Sequence, residues 1–236
     1  MDAWGDIVGV WAHPDDETFL MAGLMAAAVR AGNRVVCVTA TRGEGGVQDE
    51  ARWPAADLVD IRTRELDKAL GILGVGEHLW LDYPDGSCGD LSLQEPVARI
   101  AHVIHDVAPD HVFTFGPDGM TGHPDHQAVC AWTTEAFRAA AKPGARLLYA
   151  TVTPEWLDEF RDGWASIGAF MSDEVVPVTP RDELAVHFEL PQDLLELKFQ
   201  SLRVQESQSA STIALLGEEW LRRDMSVEMF RPAETA

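Results

Sequence analysis

Over its first 150 residues the chain alternates short apolar runs with longer amphipathic stretches, and this alternation narrows the fold more than any other feature. The apolar runs at 7–12, 35–40, 78–81, 111–115 and 147–152 have strand length. Between them lie helical patterns at 17–31, 61–73, 94–107 and 125–141. Strands separated by helices of this length predict a mostly parallel sheet with crossover helices, a Rossmann-like three-layer α/β/α architecture. In the first helical stretch Leu20, Leu24, Ala27, Ala28 and Ala31 share one face, the spacing of a helix against a sheet, and Gly32-Asn33 ends it. Right-handed double winding then makes the first and fourth strands neighbours.

Beyond residue 153 the pattern weakens. Residues 154–180 carry Trp156, Phe160, Trp164 and Phe170 among acids and read as a helix plus a loop flanking a pocket. A strand at 185–190 and a helix at 192–205 are expected to complete the fold, and 231–236 reads as a frayed tail. With no repeat, linker or low-complexity segment, 1–236 reads as a single domain, and a chain this long buries roughly 70–75% of its unfolded surface.

Charge excludes several partners. The formal net charge is −21, from 39 acids against 18 bases. Nucleic acid and anionic membrane both need a basic footprint, so neither is expected as a partner. No apolar run approaches the ~20 residues that span a bilayer. Residues 1–6 lack a basic region followed by an apolar core, so no secretory signal is expected there. Cys37, Cys88 and Cys130 are odd in number and form no CxxC pair, which fits free thiols in a reducing cytoplasm.

The chemistry concentrates in two clusters. Ala12-His13-Pro14-Asp15-Asp16-Glu17 closes the first apolar run, and His123-Pro124-Asp125-His126 follows the fourth. Each has a bland reading: carboxylates suit helix amino-termini, and Pro124 suits a first helical turn. Strand carboxyl ends are also where α/β sheets bind ligands, and adjacent strands would bring both clusters to one site.

A catalytic zinc wants three protein ligands and one open position. His13 and Asp16 lie three residues apart, so a tight strand-to-helix turn can aim both at one point. Asp15 then points elsewhere, free to take a proton from the water at the open position. Of His123 and His126, one can bind the metal while the other faces the substrate, and Asp125 can fix a ring by accepting its second N–H.

This pair of motifs resembles the PIG-L/LmbE-like zinc N-deacetylases, which remove acetyl groups from N-acetylglucosaminyl compounds. Thr41-Arg42-Gly43-Glu44 is similar to that family's Gly-Glu loop. Arg62-Thr63-Arg64-Glu65-Leu66, leading to Leu73-Gly74-Val75, is similar to its R-x-x-E-L…L-G-V helix, and Lys198 through Ser207-Gln208 to its closing K…S-Q helix.

The resemblance implies an α/β LmbE-like fold and one Zn2+ per chain, with Fe2+ or another divalent ion as substitute. It implies His13, Asp16 and His126 as ligands, and Asp15 as general base. His123 would stabilise the oxyanion and protonate the leaving amine, with Asp125 behind it. Arg62 would touch a small amino-sugar substrate, and Asp85 with Glu44 would bind its hydroxyls. Amidase action on glucosaminyl thiol conjugates and deacylation of a secondary-metabolite glycoside are the neighbouring activities. Two positions depart from the family pattern: Thr121 stands where some members carry tyrosine, and Gln205 where histidine is common.

Two histidines and a carboxylate are also the facial triad of iron oxygenases. Such an enzyme has no use for a second carboxylate beside the ligand or a proton-donating histidine. A dinucleotide site is disfavoured because the turn after the first strand is His-Pro-Asp-Asp, whose acids repel a pyrophosphate. His102 and His105 lie away from the apolar face formed by Val97, Ile100, Ala101 and Ile104, and read as solvated.

Overall fold

The computed structural model describes residues 4–171 and 176–234. Among these, strands β1 (Ile7–Trp11), β2 (Val35–Thr41), β3 (Glu77–Tyr83), β4 (His111–Thr114), β5 (Arg146–Ala150), β6 (Val186–Glu189) and β7 (Val227–Pro232) form one sheet in the order β3-β2-β1-β4-β5-β7-β6. The first five are parallel; β7 runs antiparallel to both β5 and β6. The helices are α1 (Asp16–Arg30), α2 (Leu58–Leu73), α3 (Gln94–Val107), the short α4 (Gly119–Gly122), α5 (Pro124–Ala140), α6 (Pro154–Ser166), α7 (Gln192–Val204), α8 (Glu206–Leu216) and α9 (Glu218–Asp224). α1, α2 and α7 pack together in one group and α3 with α5 in another, giving the expected three layers.

Strands β1 and β2 are buried throughout, because both sheet faces are covered there. β3 is the sheet edge and exposes alternate residues. Trp11 meets Phe115 edge-on at 5.2 Å between centroids, and Phe113 meets Phe230 at 4.8 Å, so aromatic contacts link β1, β4 and β7 through the core. As expected, β1 pairs with β4. This adjacency delivers both His/Asp clusters to one end of the sheet.

The carboxyl-terminal third differs from the expectation. α8, α9 and β7 follow α7, and Arg231 and Pro232, read as tail, pair with Tyr149 and Leu148 in the sheet. Residues 235–236 of that expected tail lie outside the described residues. The β7 sequence Val-Glu-Met-Phe-Arg-Pro lacks an apolar run because its Glu228 is buried by a distant partner. Lys198 Nζ of α7 donates to Glu228 at 2.8 Å, and the same carboxylate accepts the N–H groups of Gly23 and Leu24 of α1 at 2.8 and 2.7 Å. One fully partnered acid thus joins α1, α7 and β7.

Candidate metal centre

β1 ends at Trp11, and the next four residues turn sharply into α1. Asp15 occupies the N-cap position with φ of 122°, strained for a residue with a Cβ, and its carboxylate makes no cap hydrogen bond. The capping reading of these acids therefore fails for Asp15. The neighbouring acids hold the turn instead. Asp16 Oδ2 accepts the His13 N–H at 2.7 Å, and Glu17 Oε2 accepts the Asp15 N–H at 3.0 Å.

The second cluster arrives on the first turn of α5. His123 is its N-cap: Nδ1 accepts the Asp125 N–H at 3.1 Å, and Pro124 sits in the first turn. That bond leaves Nε2 as the free nitrogen of His123. His126 donates through Nδ1 to the Gly119 carbonyl at 2.9 Å, which fixes its tautomer and frees the Nε2 lone pair. Its ring stacks on Phe115 at 4.0 Å.

The freed Nε2 of His126 lies 3.2 Å from His13 Nδ1 and 3.4 Å from Asp16 Oδ1, and His13 Nδ1 lies 3.7 Å from Asp16 Oδ2. Three donors about 2.1 Å from a tetrahedral ion stand roughly 3.4 Å apart, so the spacing suits one small divalent cation. Donor atoms of His13, His123 and His126 also lie within 4.8 Å of one another, as do those of His13, Asp85 and Asp125. Burial, chiefly, pushes His126 down to about 4, leaving it neutral as a ligand must be. Burial opposes charge on His13 as well, but hydrogen bonds to Asp125 and Asp85 and the charge of Asp16 outweigh it and raise it to about 10. The carboxylates around His13 favour positive charge at that point, whether a proton or a bound cation.

Asp15 stands beside this group. Burial lifts its pKa to about 7, Arg62 opposes the rise, and Asp16 and Glu17 add to it. A carboxylate poised near neutrality is suited to taking a proton.

Residues 8–137 match the family model described as PIG-L: GlcNAc-PI de-N-acetylase. The chain belongs to the PIG-L family. The 1D-myo-inositol 2-acetamido-2-deoxy-alpha-D-glucopyranoside deacetylase of Kineococcus radiotolerans is 38% identical over 168 residues, which is 59% of this chain and 46% of that protein. The protein of the same description from Saccharomonospora viridis is 30% identical over 226 residues, 84% of this chain and 83% of its own. The solved structure of the N,N'-diacetylchitobiose deacetylase from Pyrococcus horikoshii shares the fold, with a TM-score of 0.68 at 24% identity over 98% of this chain and 84% of that one. Matches to the first three curated relatives span 46%, 58% and 60% of their lengths.

Three of the expected site residues stand differently from expectation. Asp125 was expected behind His123, but its carboxylate faces His13 Nε2 at 3.3 Å and accepts the Gly86 and Cys88 N–H groups at 2.7 and 3.0 Å. The helix start turns that side chain inward while its backbone N–H caps onto His123. Asp85, expected on substrate hydroxyls, lies 3.0 Å from His13 Nε2 and accepts the Gly45 N–H at 2.8 Å. Arg62, expected at the substrate, is 3% exposed and turned to protein partners. It donates to Gly43 O at 2.8 Å, to Pro14 O, and to Asp15 Oδ2 at 3.2 Å, so it holds the Asp15 carboxylate in place. Gly43 has φ of +68°, and a Cβ there would lie 2.2 Å from the guanidinium, so the glycine loop is shaped around Arg62. Glu44 accepts the Asp85 N–H through Oε1 at 2.9 Å, while its buried Oε2 has no partner among the described residues.

Glu17 and Gln205 are supports that sequence reasoning did not find. Gln205 Nε2 donates to Glu17 Oε1 at 2.7 Å, and Glu17 in turn holds the Asp15 amide. Gln205 stands where histidine is common in the family, and its only available signal was that departure. Glu65 of the R-x-x-E-L motif ties α2 to α8 by accepting the Ser207 N–H and hydroxyl at 2.9 and 2.5 Å.

A cavity of about 190 Å³ adjoins Asp16 and His126 on the β5–β7 side of this candidate site. Asp224 lines it, accepting from Trp164 Nε1 at 3.2 Å, and burial lifts its pKa to about 7 against the opposing charge of Lys198. The folded chain therefore holds this proton more tightly than the unfolded chain, whose aspartates titrate near 3.9. The stability this group contributes is full below about pH 4 and falls as pH rises toward 7, by on the order of a few kcal/mol. Asp224→Asn keeps an oxygen for Trp164 and removes the titration. Thermal melts should show the variant gaining several degrees over the parent at pH 8 and little at pH 4, at about 2–4 °C per kcal/mol. An equal change at both pH values would show that Asp224 is not the group responsible.

Proposed function

We propose that this chain is a zinc-dependent N-deacetylase that releases acetate from a small N-acetylglucosaminyl compound. The observation that carries the reading is the convergence of His13 Nδ1, His126 Nε2 and the Asp16 carboxylate within 3.2–3.7 Å, beside an Asp15 raised to about 7. Two imidazoles and one carboxylate suit zinc at one ion per chain, and Fe2+ can occupy the same donors. When bound, the ion supplies a lowered water pKa and Lewis-acid polarisation of the amide carbonyl.

The chain's own groups do the rest. Asp15, held by Arg62, takes the proton of the attacking water. His123, whose free Nε2 belongs to a half-buried ring 4.8 Å from His126, steadies the developing oxyanion and delivers a proton to the departing amine. Asp125 and Asp85 orient His13. The unpartnered Glu44 Oε2 is an acceptor for a sugar hydroxyl on the β2–β3 side. Family membership supports the amide reaction, and three buried free thiols fit a reducing cytoplasm.

The test is acetate release from a panel of N-acetylglucosaminides that differ in aglycone, using zinc-loaded protein. At least one member should be hydrolysed with stoichiometric acetate and free amine. Protein that carries one zinc per chain and releases acetate from none of them sinks the reading.

A further inference from the structure

The sheet order divides the surroundings of the candidate metal ligands into two unlike halves. On the β2–β3 side stand the polar groups Glu44, Arg62 and Asp85. On the β4–β5–β7 side lies the 190 Å³ cavity, whose walls include Phe19 and Leu20 of α1, Phe115 after β4, Met120, and Met229 of β7. Asp16 and His126 line it too, so it opens directly from the point where a scissile carbonyl would sit.

Away from the candidate metal ligands, three of the cavity's polar side chains, Glu228, Asp224 and Thr151, are already partnered. Glu228 is bound by Lys198 and two α1 amides, Asp224 by Trp164, and Thr151 Oγ1 lies 2.8 Å from Thr179 Oγ1. None of these three asks a ligand for a hydrogen bond, and most of the remaining wall is apolar, so the fitting occupant is apolar. It is also larger than a methyl group. A void holding one water needs only about 10–15 Å³ by the same measure, so the chamber has room for roughly ten non-hydrogen atoms.

We propose that this chamber receives the acyl chain of the scissile amide, and that the protein acts on N-acyl amino sugars with aliphatic chains of about six to eight carbons. The inference rests on the hydrolytic reading above and extends it from acetyl to medium-chain acyl groups. Water adds to the carbonyl carbon, the C–N bond breaks, the nitrogen leaves as the protonated amine, and the chain leaves as a carboxylate. No other reactant is consumed.

The experiment measures kcat/KM of the zinc-loaded full chain for N-acetyl-, N-butyryl-, N-hexanoyl- and N-octanoylglucosamine. The expected result is a rise of roughly fourfold per methylene up to hexanoyl, the transfer free energy of a buried CH₂. Hydrolysis that is fastest for acetyl and falls with length overturns the acyl-chain inference and leaves the deacetylase reading standing. Hydrolysis of no member of this series overturns the acyl-chain inference, and the deacetylase reading falls with it only if the aglycone panel also releases no acetate.

Leu20→Trp, at a half-buried wall position, should fill the chamber and bring the hexanoyl-to-acetyl ratio down at least tenfold. A measurement on the unsubstituted protein guards against a variant that misfolds: hexanoate should inhibit at a concentration at least tenfold below acetate. An unchanged ratio in folded Leu20→Trp, or equal inhibition by the two acids, overturns the proposal.

Discussion

Asp15→Asn is expected to lower kcat by roughly 10²–10⁴ while the metal stays bound, the usual contribution of a positioned acid or base. The separation follows from the turn. Asp16 reaches His126 at 3.4 Å and also accepts the His13 amide, which places it among the donors. Asp15, one residue earlier at φ of 122°, is directed at Arg62 instead, 3.2 Å away. Asparagine preserves the shape and still offers an oxygen to Arg62, but it takes no proton at neutral pH. Metal analysis beside steady-state kinetics checks both halves of the expectation. Loss of metal together with activity would mean that the roles of Asp15 and Asp16 are exchanged.

His126→Ala should have the larger effect on the metal, weakening zinc by about 10²-fold or more and abolishing turnover, because two remaining protein ligands rarely hold the ion. His126 is the donor that the fold prepares most fully: the Gly119 carbonyl sets its tautomer, Phe115 stacks on its ring, and burial keeps it neutral. His123→Ala is the informative companion, since His123 also approaches His13 and His126 within ligand distance. Its Nδ1 already caps α5, so this variant should retain one zinc per chain and lose rate alone. Zinc retained by His126→Ala and lost by His123→Ala would reverse the assignment of the two histidines.

Much of the architecture was legible because it repeats locally. The expected helix at 94–107 coincides with α3, and the expected first strand and helix differ from β1 and α1 by one residue at their ends. The parallel sheet and the β1–β4 adjacency followed from strand–helix alternation and handedness. Where burial depended on a remote partner, the pattern failed. β7 carries Glu228 and Arg231 in a six-residue strand, and Lys198 with two α1 amides makes the buried glutamate tolerable. The same cause hid Gln205, whose partner Glu17 lies 188 positions away in sequence.

Chemistry packed into four consecutive residues is readable from the chain alone. In His13-Pro14-Asp15-Asp16 and His123-Pro124-Asp125-His126 the backbone turn supplies the geometry, so spacing alone identified the cluster that the fold brings together. The direction of each side chain was a different matter. Asp125 facing His13, Arg62 turned onto Asp15, and Asp85 drawn to His13 are contacts between segments 47 to 112 residues apart. The apolar chamber is more remote still, assembled from α1, the end of β4 and β7. Local propensity carries no term for such contacts; they exist because the sheet order sets those segments side by side and packing leaves each side chain one place to go.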